Sequence, residues 1–407
     1  MPDKKRFSPS RLTTNGRFGL ERENLRINPD GSLALTPHPE AFGDKLTNPE
    51  ITTDFSESQV EIVTPVSSSI PEMMLHLDCL TAKVVKGIGT ELLWPLSSTP
   101  AILPPEEQIP IADFGPDGRD KNDYRIYLSK KYGRYKQLYC GIHFNFSFLQ
   151  EELSEFLTDQ SMVNRFYLHL TAQAMRYRFF LVHLLSASPV KKDDGFYRSI
   201  RLGKQGYQNT RPIFLDYTDA DFYVKSLSSY IKKGTIEGAR ELYQHVRIKG
   251  KGFEDPDSPP AASRVELRIP DLNPLYPGGI NPDDLYLMHL YLMWAVQKED
   301  LPFDAESQKE ARFLCDQAAM MDVSDELSVQ MNQMFDQLYT FLSQSDLPKI
   351  YSDALDHAKQ RWLNPELRYA EQIAARTQNG KDMNEAVFLA KKMKETYMKM
   401  ADSPCVP

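Results

Sequence analysis

The sequence predicts an α+β protein, with a mostly antiparallel sheet in the first two thirds of the chain and helices in the last third. Three short segments, 18–23, 140–148 and 265–269, alternate apolar and polar residues with the two-residue period of a strand. The tetrapeptide NPDG at 28–31 is a hairpin signal between strands of the first region. After residue 281 the spacing of large apolar residues becomes helical.

We expect two regions that together form one structural unit. Residues 1–280 would form the sheet, with inserted helices at about 70–93 and within 153–185. Residues 281–407 would form a helical region packed on it, because a proline directly after Asn281 suits the first position of a helix.

The composition is that of a globular protein, since 41% of the 407 residues are hydrophobic and 26% are charged. The formal net charge of −8 argues against a nucleic-acid or anionic-membrane partner, because either would favour a basic face. We find no export signal and no apolar stretch near the roughly 20 residues that span a bilayer. The four cysteines lack metal-ligand spacing. We therefore expect a cytoplasmic protein with reduced thiols.

Acidic residues are concentrated in or beside the predicted strands. They are Glu21, Glu23, Asp54, Glu57, Glu61 and Glu266. A buried carboxylate is costly unless it is paired or metal-bound, and oxygen-rich sites suit Mg²⁺. The same acids could instead face solvent or pair with nearby arginines. His143 lies on the polar face of its strand, and could be a metal ligand or a satisfied core histidine.

Cationic and aromatic residues of the same region could bind a small anionic molecule. The guanidinium fork matches carboxylate and phosphate, so Arg201, Arg247 and Arg268 could clamp either group, although each could also be a surface arginine. Four tyrosines could line a small-molecule pocket or simply pack in the protein: Tyr124, Tyr132, Tyr207 and Tyr243. The chain has no Walker loop, dinucleotide fingerprint, GxSxG elbow or HExxH motif.

Six segments between about residues 17 and 275 follow one another in a specific order. They are Gly19–Arg26, Thr52–Glu57 with Glu61, Gly141–Ser147, Arg201–Leu202 with Gly206–Tyr207, Glu241–Tyr243, and Glu266–Arg268 with Asp271 and Asn273–Pro274. Together they resemble the bacterial glutamate–cysteine ligase family. The sequence of these segments is similar both to the stand-alone enzyme and to the N-terminal half of the bifunctional glutathione synthase.

The resemblance implies a fold related to glutamine synthetase, in which a curved, mostly antiparallel sheet forms a funnel. It also implies a reaction that uses ATP and Mg²⁺, or Mn²⁺ in its place. The γ-carboxylate of glutamate is phosphorylated, and the amino group of cysteine attacks the acyl phosphate to give γ-glutamylcysteine, the first step of glutathione biosynthesis. Because no second ATP-binding domain follows Pro407, we expect a separate glutathione synthetase to act downstream.

The resemblance also implies roles for individual residues. The expected magnesium ligands are Glu21, Glu23, Asp54, Glu61, His143 and Glu266. The expected pocket for the cysteine substrate consists of Phe55, Tyr124, Arg201, Tyr207 and Tyr243, with Arg201 and Tyr207 near the substrate carboxylate. Arg125 and Arg268 are expected near the transferred phosphoryl group.

Two other functions stay open. The chain could be a γ-glutamyl ligase that acts on a different amino acid or amine, since small side chains are discriminated by only about 1–3 kcal/mol. It could also be a non-catalytic relative that binds amino acid or nucleotide, which would predict loss of metal acids, and all six expected ligands are present. The C-terminal third barely matches the family and is shorter than in the long enterobacterial type.

Overall fold

The computed structural model describes residues 14–378 and 383–401. The strands within these residues are β1 Gly16–Ile27, β2 Ile51–Thr52, β3 Gln59–Val63, β4 Leu92–Leu93, β5 Ile142–Phe148, β6 Val190–Lys192, β7 Gly195–Tyr197, β8 Val246–Lys251 and β9 Ala261–Leu267. Seven of them form the main sheet in the order β2-β3-β1-β5-β9-β8, with β4 paired to the end of β1. All pairings in this sheet are antiparallel, whereas β6 and β7 form a separate hairpin.

Helices surround the sheet and make up the last third of the described chain. They are α1 Ile70–Gly87, α2 Arg119–Tyr132, α3 Gln150–Ser154, α4 Gln160–Arg176, α5 Phe179–Leu185, α6 Ala220–Lys232, α7 Pro282–Val296, α8 Ala305–Ala318, α9 Asp325–Ser343, α10 Lys349–Leu363, α11 Tyr369–Arg376 and α12 Met383–Ala401. The α+β class, the mostly antiparallel sheet and the helical C-terminal part are confirmed. The division near residue 280 stays a prediction.

One face of the sheet is largely apolar and packs on helices. We call it the rear face; on β1 it carries Phe18, Leu20, Arg22 and Asn24. The Phe18 ring lies 5.3 Å from that of Phe146 on β5, and both rings pack on His289 of α7, at 5.1 and 4.5 Å between centroids. The same face of β5 also carries Ile142, Phe144 and Phe148. The opposite side, the front face, carries Glu21, Glu23, His143 and Asn145.

The helix predicted over 70–93 is shorter than expected. It begins as its sequence suggests, because the Ser69 side chain accepts a hydrogen bond from the Glu72 amide and Pro71 occupies the first turn. It ends at Gly87, and Gly89 then adopts a positive φ of 59°. Leu92 and Leu93 leave the helical path and pair as β4 with the end of β1.

The helical pattern predicted within 153–185 corresponds to two helices, α4 and α5. Asp159 caps α4 by accepting a hydrogen bond from the Met162 amide, and α5 is buried along its whole length. Helix α7 begins at Pro282, where Asn281 accepts from the Asp283 amide, as the sequence predicts. It is buried on nearly every side and lies between the sheet and the other C-terminal helices. The C-terminal third is thus built around a helix that also supports the rear face.

The cysteines only partly follow the expectation of reduced thiols. Cys140 and Cys315 are buried free thiols, but Cys79 on α1 is disulfide-bonded, so the expectation is wrong for Cys79. In the part of the chain that the structure describes, no helix combines the length and the apolar character that crossing a membrane requires.

Replacing Phe146 tests how much the rear face contributes to the stability of the sheet. Phe146 is 0% exposed, so Phe146→Ala should lower the free energy of unfolding by about 3–5 kcal/mol, measured by denaturant titration. The control is Phe313→Ala on α8, whose side chain is 60% exposed and which should change stability by less than about 0.5 kcal/mol. Equal losses in the two variants would contradict this packing.

Candidate active site

Strand register gathers acids on the front face. In the β1–β3 pair, Glu23 lies opposite Glu61, and in the β1–β5 pair Glu21 lies opposite His143. Residues directly opposite each other in an antiparallel pair have Cβ atoms only about 4.5–5.5 Å apart. The sheet therefore places three carboxylates and an imidazole side by side, although they come from three separate parts of the sequence.

Glu21, His143 and Glu266 form the tightest group. The Nδ1 atom of His143 donates a hydrogen bond to Glu21 Oε2 at 3.0 Å and lies 3.9 Å from Glu266 Oε1. The Asn145 amide donates to the other oxygen of Glu21 at 3.1 Å. One potential ligand atom from each of the three residues lies within 4.8 Å of the other two. The group is compact enough to share one cation.

Two further features of this group suit a cation. Glu266 Oε2 is buried and makes no hydrogen bond in the structure, so its electron pairs are uncommitted. Because His143 donates through Nδ1, its Nε2 carries the lone pair in the neutral ring, and this atom faces Glu23 Oε1 at 3.8 Å. The donor set combines hard carboxylate oxygens with one imidazole nitrogen, which divalent ions such as Mg²⁺ and Mn²⁺ accept.

Glu23 and Glu61 are the carboxylates whose negative charge is least offset by neighbouring positive groups. Burial raises the pKa of Glu23 above its ordinary value, although the charges of His143 and Arg268 act against the shift. Burial raises the pKa of Glu61 well above its ordinary value, and the neighbouring charges of Glu23, Glu21 and Asp54 act in the same direction. A bound cation would remove part of this repulsion.

Arginine side chains flank the acids on the β8–β9 side. Arg268 Nη1 lies 3.4 Å from Glu266 Oε1, and Arg247 Nε lies 3.9 Å from Glu266 Oε2. Burial alone would raise the pKa of Glu266, but the positive charges of Arg268, Lys249 and Arg247 lower it overall. Glu266 therefore stays ionised, and the Arg268 side chain beside it is only partly buried.

Arg125 reaches the acids from the other side. It lies on α2, donates through Nε to the backbone carbonyl of Asp54, and stacks on the Phe114 ring with its Cζ 4.4 Å from the ring centroid. The charges of Asp54 and Glu61 act on its guanidinium, which places it beside the front-face cluster. The sequence-predicted pair Arg125 and Arg268 thus lies on opposite sides of the acids.

Tyrosines from three segments form an aromatic group next to this cluster. The ring centroids of Tyr207 and Tyr243 are 4.1 Å apart, and Tyr132 lies 5.3 Å from Tyr243. Tyr124 packs against the Arg240 guanidinium, with 3.8 Å between Cζ and the ring centroid. The Asp54 carboxylate acts on the pKa of Tyr124, Tyr207 and Tyr243, which burial raises in all three. The predicted pocket residues on these segments are therefore neighbours.

Glu241 supports this aromatic group, a role that the sequence did not reveal. Its side chain is 0% exposed and accepts hydrogen bonds from the Tyr132 hydroxyl at 2.6 Å and from Lys131 Nζ at 2.5 Å. It also accepts from the Glu237 amide at 2.6 Å. These contacts fasten the segment that carries Tyr243 to α2. In the sequence, Glu241 was marked only as the first residue of the Glu241–Tyr243 segment that resembles the family.

Arg201 is placed differently from the other predicted pocket residues. Four of its five N–H groups are committed, one to Asp271 at 3.1 Å and three to backbone carbonyls at residues 268–270. Gly141 is needed beside it, because a Cβ atom there would lie 2.7 Å from Arg201 Cζ. Arg201 therefore braces the end of β9, directly next to Arg268.

Phe55 and Glu57 make contacts different from those of the two groups above. Phe55 is 1% exposed, and within the described residues no ring contact connects it to the tyrosines. Glu57 forms an ion pair with Lys45 and accepts from the amides of His38 and Asp113, at 2.7 and 2.8 Å. For Glu57, pairing with a cation inside the protein therefore explains the buried acid.

Comparisons with known proteins show which proteins this chain is similar to. The chain is 36% identical over 407 residues to the glutathione biosynthesis bifunctional protein of Listeria innocua, covering 89% of this chain and 52% of that protein. It is 37% identical over 306 residues to the protein of the same name from Enterococcus faecalis, covering 70% and 40%. The chain spans about half the length of the curated relatives it matches.

Solved structures share the fold over nearly the whole chain. A crystal structure of a bifunctional glutathione synthetase from Pasteurella multocida matches with a TM-score of 0.85 and 26% identity, covering 94% of this chain and 53% of that one. The glutamate–cysteine ligase of Francisella tularensis, determined in complex with AMP, matches with a TM-score of 0.82 and 25% identity, covering 94% and 89%.

The match at the level of the family covers most of the sheet region. Residues 5–253 match the sequence model described as glutamate-cysteine ligase, which is more than half of the chain. This chain belongs to the glutamate–cysteine ligase family.

Proposed function

We propose that this chain is an ATP-dependent ligase that joins the γ-carboxylate of glutamate to the amino group of L-cysteine through a γ-glutamyl phosphate. The observation that carries the proposal is the compact Glu21, His143 and Glu266 group on the front face, flanked by two arginines and by the tyrosines. The names of the relatives, which place them in glutathione biosynthesis, support the same reaction.

The donor set fits a resident Mg²⁺, or Mn²⁺ in its place. Glu21, His143 and Glu266 would hold one ion, and the acids that repel one another next to them would contribute further ligands: Glu23, Asp54 and Glu61. When bound, such an ion would neutralise charge on phosphate oxygens and polarise the phosphoryl group. The raised pKa of Glu61 and of Glu23 supports this assignment, because bound cations would relieve the repulsion that contributes to both shifts.

The arginines would stabilise the charge that develops during phosphoryl transfer. Transfer of the γ-phosphoryl group of ATP to a carboxylate brings several negative groups together, so catalysis depends on fixed positive charge and positioning. Arg268 and Arg125 lie on opposite sides of the acids, where they could face that charge from two directions. The nucleophile that breaks the acyl phosphate is the substrate amine, so no side chain of the protein has to act as a nucleophile.

The tyrosine group would bind the amine substrate. Tyr207 and Tyr243 are in ring contact, and the Tyr207 hydroxyl is fixed by donation to Gln137 Oε1 at 3.0 Å. Aromatic rings make favourable contacts with sulfur, which suits a cysteine side chain. The buried Tyr243 hydroxyl lies near Tyr207 and Gln137 but forms no well-shaped hydrogen bond within the described residues, and a substrate polar group would satisfy it. Glu241 would act here as a positioning residue, through Tyr132 and the segment that carries Tyr243.

For Arg201 we propose a positioning role. Its contacts with Asp271 and the carbonyls of 268–270 would hold Arg268 in register with Glu266, and they leave one N–H group for a substrate carboxylate.

For the product, we propose that a separate glutathione synthetase uses it downstream.

The reaction is tested by phosphate release from ATP with Mg²⁺ and glutamate, screened against the twenty amino acids, with the mass of each product determined. We expect release that depends on cysteine and gives γ-glutamylcysteine. Release that depends on a different amine would assign the chain to a γ-glutamyl ligase of another specificity. No release with any amine would contradict ligase activity for this chain.

Removing one carboxylate should weaken metal binding, which can be measured without an activity assay. We expect Glu266→Gln to lower the affinity for Mn²⁺ by roughly tenfold or more in calorimetric titration, since even outer-shell changes cost about 10–100-fold. The control is Glu254→Gln, an exposed acid on the same β8–β9 hairpin that pairs with Lys249 at 2.6 Å. Unchanged Mn²⁺ affinity in Glu266→Gln would argue against the site.

The amine pocket should respond to loss of an aromatic ring. Tyr243→Ala should raise the KM for cysteine by about tenfold or more, while the KM for ATP changes by less than about twofold. Tyr286→Ala on α7, behind the sheet, is the control and should leave both constants unchanged. A parallel rise of both KM values in Tyr243→Ala would instead indicate a general structural role.

The role of Arg201 can be separated from direct substrate binding. Arg201→Met leaves the buried Asp271 without its cation, so the free energy of unfolding should fall by about 3–5 kcal/mol. The control is Lys309→Met, which breaks an exposed ion pair with Glu306 and should cost less than about 1 kcal/mol. If Arg201→Met keeps full stability and only raises the KM for cysteine, its role is to bind substrate.

A further inference from the structure

Behind the sheet lies a cavity of about 690 Å³. It opens between the rear face of β1, the 272–281 segment and the helices α10, α11 and α12. Small-molecule sites usually have volumes of about 300–1,000 Å³, so the space suits a ligand of that size. Strand alternation directs Arg22 and Asn24 into it, whereas their neighbours Glu21 and Glu23 point to the front face. The cavity is therefore separate from the candidate active site.

The floor of this rear cavity holds a buried cation that the protein satisfies only in part. Arg22 is 1% exposed, and its Nη1 donates to the Gly278 carbonyl at 2.9 Å. Its Nε and Nη2 make no hydrogen bond in the structure. The Tyr397 hydroxyl and the Asp78 carboxylate lie near this guanidinium, but neither forms a well-shaped hydrogen bond with Nε or Nη2. A buried guanidinium with free N–H groups is costly unless an acceptor reaches it.

Two asparagine side chains on the same floor also have unused polar atoms. Asn24 donates to the Trp94 carbonyl at 3.1 Å, but its buried Oδ1 atom has no partner within the described residues. Asn273 Nδ2 is likewise buried without a partner. Both residues line the cavity. The floor thus offers guanidinium and amide N–H donors together with one carbonyl acceptor.

Cations also dominate the rim. Arg361 pairs with Asp284 at 2.5 Å but leaves its buried Nε without a hydrogen bond. Arg376 and Lys392 are exposed, and neither has an ion-pair partner within the described residues. The acid that lines the cavity, Asp283, is paired with His357 at 2.7 Å. A low-dielectric pocket with this excess of positive charge concentrates anions.

We propose that the rear cavity binds a small polyanion that carries carboxylate or phosphate groups and at least one N–H or O–H donor. Its anionic oxygens would accept from Arg22 and Asn273 on the floor and face Arg376 and Lys392 at the rim, while its donor group would satisfy Asn24 Oδ1. A ligand bonded to Arg22 would bear directly on β1, the strand that presents two acids on the front face. The proposal does not depend on the ligase reaction.

The test is calorimetric titration of the full chain with citrate and, separately, with inorganic pyrophosphate, in metal-free buffer. Without metal, the acidic front face repels anions, so it competes little for the probe. We expect binding that weakens by about tenfold or more in the double variant Arg376→Glu with Lys392→Glu. The matched control reverses the charge of two exposed lysines that do not line the cavity, Lys191→Glu with Lys225→Glu, and should keep the wild-type affinity.

The two probes separate the chemistry of the ligand, since binding of citrate alone indicates carboxylates and binding of pyrophosphate alone indicates phosphates. Arg22→Lys keeps the positive charge but removes the guanidinium group, so it should also weaken binding of the probe. Thermal unfolding verifies that this variant folds. If Arg22→Lys fails to fold, the comparison of the rim double variant with its control still tests the proposal. Equal affinity in the rim and control variants, or no heat with either probe up to about 10 mM, would overturn the proposal.

Discussion

The antiparallel register of β1 with β3 and β5 is the constraint on which the rest of the structure depends. Because side chains alternate along a strand, this register puts Glu21 opposite His143 and Glu23 opposite Glu61 on one face. A shift of one residue would move the acids of β1 into the apolar layer and its phenylalanine to the front. The hydrophobic packing of the rear face on α7 therefore also fixes the polar constellation.

The front face carries an electrostatic cost that its surroundings offset only in part. Arg268 and Arg247 keep Glu266 ionised, and His143 has the same effect on Glu21 through its hydrogen bond. Among the described residues Glu61 forms no such ion pair or hydrogen bond, and burial and like charges raise its pKa against the charge of Arg268. This imbalance is typical of a site that is completed by a cation. The strong local repulsion is tolerated because the strands that carry it belong to a well-packed sheet.

Much of this arrangement could be predicted from the sequence, but its three-dimensional pairing could not. A two-residue period was enough to place Glu21, Glu23, His143 and Glu266 on polar strand faces. Which acids face each other depends on long-range pairing, which single-segment patterns do not contain. The bracing contacts of Arg201 were equally hidden, because they involve backbone carbonyls. The helical C-terminal third offered no motif, so the rear cavity formed by α10, α11 and α12 became visible only in the folded chain.

The most direct test of the central claim is anomalous diffraction from crystals grown with Mn²⁺. The account predicts a peak between the side chains of Glu21, His143 and Glu266, with further density beside Glu23 and Glu61 if more than one ion binds. An ordered front face without any peak, in crystals that bind Mn²⁺ elsewhere, would contradict it.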